Sequence, residues 1–241
     1  RYEATTGDIT IGELNAGTAR VAVIATAGSI LDLGVDTSAV DITANDLILR
    51  AGTGIGASTN HIETKVVNIT TRSGNGSTFI TESDSVTVDA LTLTVDRVQA
   101  DGTVVTTAAD SQEDLVATNG ELVLVTTDGF ITINGGTDTA GITATSDILL
   151  SAGESAEVTT ADITLNASIT STAGNISLIS KDSIIQTATT GDITASGAGK
   201  SIDLKADAAI SMGDGALTQS TNGNIRYEAT TGNITVGELN A

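Results

Sequence analysis

The 241-residue sequence predicts an all-β fold, a β-solenoid in which successive coils stack as parallel strands, and three observations carry that prediction. Short runs of strictly alternating apolar residues recur along the chain, which places one face of each run inside and the other outside. Apolar anchors in the second half fall 8 or 9 residues apart, at Ile176, Ile184, Ile193, Ile202 and Ile210. The composition suits thin, regular layers: 39 % apolar, mostly Ala, Val, Ile and Leu, with two Phe, two Tyr, no Trp and no Pro. Proline would remove a ladder hydrogen bond from a central strand, so its absence fits stacked strands throughout. Helical spacing is missing, and Gly, Ser and Thr are too dense for stable helices.

In chain order, the alternating runs are GDITI at 7–11, NDLIL at 45–49, GELVL at 120–124, GFITI at 129–133 and SDILL at 146–150. They continue as ADITL at 161–165, GNISL at 174–178, GDITA at 191–195 and GNIRY at 223–227. Each opens on a small or polar pair that reads as a corner, followed by a strand of about five residues. Asn-Gly hairpin signals are sparse (Asn75-Gly76, Asn119-Gly120, Asn134-Gly135), which favours stacking over an antiparallel sandwich. Taking two strand steps per turn gives 17–22 residues per coil, with Asn and Thr at equivalent corners available for side-chain ladders.

Residues 60–118 depart from this regularity. SVTV at 85–88 and LTLTV at 91–95 change phase at Asp89-Ala90, which reads as a corner. Residues 108–114 (AADSQED) lack alternation and read as a loop or short helical turn leaving the rod.

A longer repeat encloses the short one. Residues 1–16 (RYEATTGDITIGELNA) and 226–241 (RYEATTGNITVGELNA) agree at fourteen of sixteen positions, a period of 225 residues. The expected organisation is one full solenoid repeat at 1–225, with 60–118 as its decorated zone, and the start of the next repeat at 226–241. At 17–22 residues per coil, one repeat holds roughly 10–13 coils and advances about 48–62 Å.

Ten basic residues face 30 acidic ones, a net charge of −20. The second partial copy carries −1 of this (Arg226 against Glu228 and Glu238), leaving −19 per full repeat. That balance excludes a phosphate-backbone partner and direct docking on anionic lipid. No apolar run approaches a membrane span, so no direct membrane insertion is expected. The alternation and slightly positive mean hydropathy mark a chain that folds. Cysteine is absent, which excludes a disulfide scaffold and thiolate metal sites.

The G-[DN]-I-x-[LVI] strands, and phrases such as TAGNISL at 172–178, resemble the repeat region of filamentous-haemagglutinin-type bacterial surface adhesins. The resemblance covers most of 1–50 and 120–241 and is weak across 60–118. It implies a right-handed parallel β-helix, export to the bacterial cell surface, and a role in cell adhesion or as a stalk. The expected function is a structural rod segment of a secreted extracellular fibre. Its partners would be neighbouring repeats stacked end to end, with a host or bacterial cell surface beyond. The alternative is that the repeat is itself a receptor- or glycan-binding module, with 60–118 as the contact zone.

Solenoids also include polysaccharide-cleaving enzymes, whose sites need convergent carboxylates with His, Lys or Arg and aromatics to stack on sugars. His61 is alone in a turn-like stretch, and Arg72 and Arg97, with acidic neighbours Glu82 and Asp96, read as surface ion pairs. No catalytic residue is assigned and no enzyme is expected. Calcium is the one metal to weigh, because acidic extracellular repeats bind it through carboxylate and carbonyl oxygens. No complete calcium loop is present; the nearest fragments are NGGTD at 134–138 and GDG at 213–215. The acidic cluster Asp110, Glu113, Asp114 is a candidate for weakly bound calcium, against the plainer reading of a solvated acidic turn. No cofactor is expected, and no tightly held metal should be needed for folding.

Overall fold

The computed structural model describes residues 1–35, 39–155 and 160–241. Among them there is no helix, and 23 strands join one continuous, predominantly parallel hydrogen-bonded system. The chain is a parallel β-helix, as its alternation and missing prolines predict.

Each coil presents three faces; from Thr78 on each face has its own strand, whereas Arg20–Ala25, Ile42–Ala51 and Ile62–Ser73 run unbroken from the third face into the first. The second face is traced by Ile9, Ile30, Ile55, Thr78, Leu122, Ile148, Ile176, Ile202 and Ile225, each the cross-strand partner of the next. The third face stacks Val86, Ile131, Ile163, Ile184, Ile210 and Ile234. The first runs from Tyr2 through Val23, Leu49, Thr71, Leu115, Ile142, Ile169, Ile193 and Thr218 to Leu239.

This arrangement corrects the expected coil count. The 8- or 9-residue step is real, but three steps close a coil rather than two, so Ile176 pairs with Ile202 (202 − 176 = 26 residues on). Along the second face, Ile9 to Ile225 spans eight coils. Ile234, the counterpart of Ile9, stands one face further on, above Ile210. One long repeat is therefore eight and one-third coils, not 10–13, and at about 4.8 Å per coil it advances about 40 Å.

The two near-identical segments follow the same three-strand path, Tyr2–Ala4, Ile9–Ile11 and Leu14–Asn15 against Ile225–Ala229, Ile234–Thr235 and Glu238–Asn240. They do so on different faces. Tyr2 lies beneath Val23 on the first face, whereas Tyr227 lies above Leu204 on the second. The extra third of a coil rotates the second copy by one face.

The core is a narrow column of stacked Ile, Leu, Val and Ala running the length of the rod. Ile131, Ile163, Ile176 and Ile193 are fully buried; Ile9, in the first coil, is half-buried because it packs on one side only. Corners are held by polar ladders. Asn166 donates to Asn134 (2.9 Å) and Asn134 to Asp89 (3.1 Å), while Asn119 donates to Asn75 (3.2 Å). Coils approach closely there: a Cβ on Gly174 would overlap the backbone of Ser146 and Asp147.

The decorated zone is narrower than 60–118. Ile62–Ser73, Thr78–Glu82 and Val86–Val88 are ordinary rod strands. Between Val88 and Leu115 the chain leaves as a long β-hairpin, Leu91–Leu93 antiparallel to Asp110–Gln112 and Asp96–Val98 antiparallel to Val104–Thr106. Asp89-Ala90 is thus the hairpin's root rather than a corner between rod strands, and 110–112 is a strand rather than a loop. The hairpin lies back on the rod: Leu91 and Leu93 bury Ala22 and Ile48, outward-facing residues that would otherwise meet water.

Candidate functional site

Two arginines and a group of carboxylates meet at the hairpin's base. Arg50 and Arg72 are stacked neighbours on adjacent coils. Arg50 donates to the Gln112 side chain and to the Ser111 carbonyl, both at 3.0 Å. With Leu91, Thr92, Glu113 and Thr137 they line a groove of about 580 Å³.

Of the three calcium candidates, the structure keeps two together and removes one. Asp110 points to the opposite side of its strand from Ser111 and pairs with Arg1, which donates from Nε and Nη2. Glu113 and Asp114 instead meet Asp138, with one carboxylate oxygen from each within 4.8 Å of the others. Asp138 belongs to the 134–138 fragment singled out in the sequence as loop-like. The sequence signal for this meeting was the 24-residue separation of Asp114 and Asp138, close to one coil.

The local geometry is specific. Asp114 takes a left-handed conformation, φ 66°, where the hairpin rejoins the rod, and its carbonyl accepts from the Thr70 hydroxyl at 2.7 Å. Its side chain is only 7 % exposed, and its Oδ1 is buried without a hydrogen-bond partner. Burial, reinforced by Asp138 and Glu113 and eased by Arg72, pushes its carboxyl up to about 7. Glu113 accepts from the Thr137 amide (2.7 Å) and hydroxyl (2.7 and 2.8 Å), which holds its carboxyl below the usual range. Asp138 accepts from the Ala140 amide at 2.8 Å and closes its own turn by donating to the Gly135 carbonyl.

Two further acidic features were not foreseen. Asp32, Asp41 and Glu63 form a second carboxylate group, in which Asp41 accepts from the Glu63 amide at 3.0 Å. Glu82, read in the sequence as a surface partner of Arg72, lies fully inside the rod. It accepts from the Thr64 hydroxyl (2.7 Å) and from the amides of Val66, Ser83 and Asp84. Burial pushes its carboxyl up to about 8. Asp96, paired in the sequence reading with Arg97, accepts instead from the Thr106 hydroxyl at 2.6 Å.

His61 bonds through Nδ1 to the Thr81 hydroxyl (2.8 Å) and leans on Phe79, ring centroids 5.6 Å apart. Those contacts anchor a corner of the rod. No family model, curated protein or solved structure matches this chain. No helix among the described residues is long and apolar enough to cross a membrane.

Proposed function

We propose that the chain is a rod segment of a secreted bacterial surface adhesin or extracellular fibre, a stalk whose repeats add length and carry no catalysis. One observation supports this above the rest: two near-identical segments take the same three-strand path eight and one-third coils apart along one axis. Any element that stacks its own copy in this way extends without new chemistry. The partners are then neighbouring repeats meeting strand edge to strand edge, and the charge of each repeat keeps neighbouring rods apart. The polar corner ladders and the resemblance of the G-[DN]-I-x-[LVI] strands to adhesin repeats fit the same reading.

The extra third of a coil has a geometric consequence. In an array of such repeats each hairpin emerges one face on from the last, and three repeats restore the starting face. Concatemers of one, two and three repeats, imaged in projection, test this. Length growing by about 40 Å per repeat supports the rod. Length that does not grow, or compact particles, would overturn it.

The second reading, a binding module, draws on the hairpin's outer half, where Val98, Val104 and Val105 are all more than half exposed. Three exposed valines on a protruding strand pair offer a contact surface to a receptor. Cell-binding and glycan-array measurements with the intact chain and with a V98S/V104S/V105S variant separate the two. Binding lost in the variant would favour the module, and no binding by either favours the stalk.

A further inference from the structure

We infer that Glu113, Asp114 and Asp138 form a calcium site that ties the base of the hairpin to the neighbouring coil, an inference independent of the rod reading. Three carboxylates alone would be an acidic surface. Asp114 takes this cluster beyond a surface: it is more than nine-tenths buried, its Oδ1 has no hydrogen-bond partner, and its carboxylate lies with the other two. A buried, unsatisfied carboxylate costs stability unless something compensates it.

The surroundings do not supply that compensation from protein donors. Thr137 commits its amide and hydroxyl to Glu113, and Ala140 its amide to Asp138. Arg72 acts on both Glu113 and Asp114 through its charge. One oxygen from each of the three carboxylates lies close to the other two.

The donor set selects the ion. Oxygen-only ligands exclude soft metals and favour calcium or magnesium. Carboxylates gathered from two separate turns suit calcium, which takes six to eight oxygens in a flexible shell, better than magnesium, which requires a strict octahedron at about 2.0–2.1 Å and keeps most of its waters. Two of the ligands come from the end of the hairpin and the third from the 134–138 corner one coil on, so the ion would bridge elements separated by 24 residues. The 134–138 turn is already pressed against the hairpin: a Cβ at Gly136, φ 56°, would strike Glu113. With the ion bound, the strained re-entry at Asp114 is held in place.

The test is calorimetric titration of the chelator-stripped chain with calcium chloride, then with magnesium chloride, alongside thermal unfolding. One calcium per chain is expected, with magnesium binding at least tenfold weaker. At 100 times Kd the melting midpoint should rise by about 5–10 °C. D114N and D138N should each weaken calcium by tenfold or more. D114N removes the unsatisfied charge, so in chelator it should melt no lower than the parent, which shows that it folds. D41N, at the other carboxylate group, should leave the affinity unchanged. Absence of binding at about 10 mM calcium, beyond the range of weak extracellular sites, would overturn the proposal. So would affinity untouched by D114N and D138N, or equal affinity for magnesium.

Discussion

Replacing Ile176 tests the stacking directly. Its side chain is fully buried, stacked between Ile148 below and Ile202 above on the second face. Ile176→Ala removes three carbons from a column in which both neighbours are held by their own coils, so the gap cannot collapse. The expected cost is about 3–4 kcal/mol, in the middle of the range for such truncations. Ile176→Asp adds an unpaired carboxylate to an apolar column and should cost more, on the order of 5 kcal/mol or prevent folding of the central coils. The control lies in the same strand. Ile179 faces outward, 40 % exposed, between Ser151 and Lys205. Ile179→Asp should therefore stay within about 0.5 kcal/mol of the parent. Urea unfolding followed by far-ultraviolet circular dichroism reads all three. Equal losses for Ile176→Asp and Ile179→Asp would refute the assigned register.

Glu82 makes stability depend on pH. Its carboxyl is raised from 4.5 to about 8 by burial, so between those values the folded chain holds a proton the unfolded chain has released. This contribution is complete below pH 4.5 and is lost as pH rises through 8, a change on the order of 4–5 kcal/mol. Urea midpoints from pH 4.5 to 9 should fall with pH and fall less steeply in Glu82→Gln; identical slopes would count against a raised carboxyl. The hairpin should divide into an anchored and a free half. Leu93→Ala, which uncovers Ala22 and Ile48, should cost about 2–3 kcal/mol and admit protease near Arg97; Val98→Ala at the exposed tip should change stability by less than about 0.5 kcal/mol.

Much of the fold was legible because a strand's burial pattern is written in every second residue. Gly174-Asn175-Ile176-Ser177-Leu178 shows its inward pair, Ile176 and Leu178, without any structure. The number of strands per coil was not legible. Steps of 8 or 9 residues are the same whether two or three close a turn, and only the pairing of Ile176 with Ile202 rather than Ile193 decides it. The hairpin was hidden for a related reason. Leu91-Thr92-Leu93 alternates like a rod strand. Its partner Asp110-Ser111-Gln112 alternates in burial but carries the buried positions on polar residues. Asp110 is satisfied by Arg1, and the Gln112 amide by the Leu49 carbonyl at 3.0 Å. Glu82 escaped notice in the same way, as a polar side chain at an inward position whose carboxyl accepts from Thr64 and three backbone amides. Two of the three carboxylates in the acidic cluster, Glu113 and Asp114, were legible as a run, but the third, Asp138, required the coil length.

The most direct test is a distance measured along the axis. Thr10 and Arg226 lie on the outward side of the second face, each next to a member of the column that runs from Ile9 to Ile225, eight coils apart. Spin labels at these two positions, read by pulsed dipolar spectroscopy, should give a distance near 38 Å at about 4.8 Å per coil. A distance of 48 Å or more would restore a two-strand coil, and one below about 25 Å would contradict a solenoid.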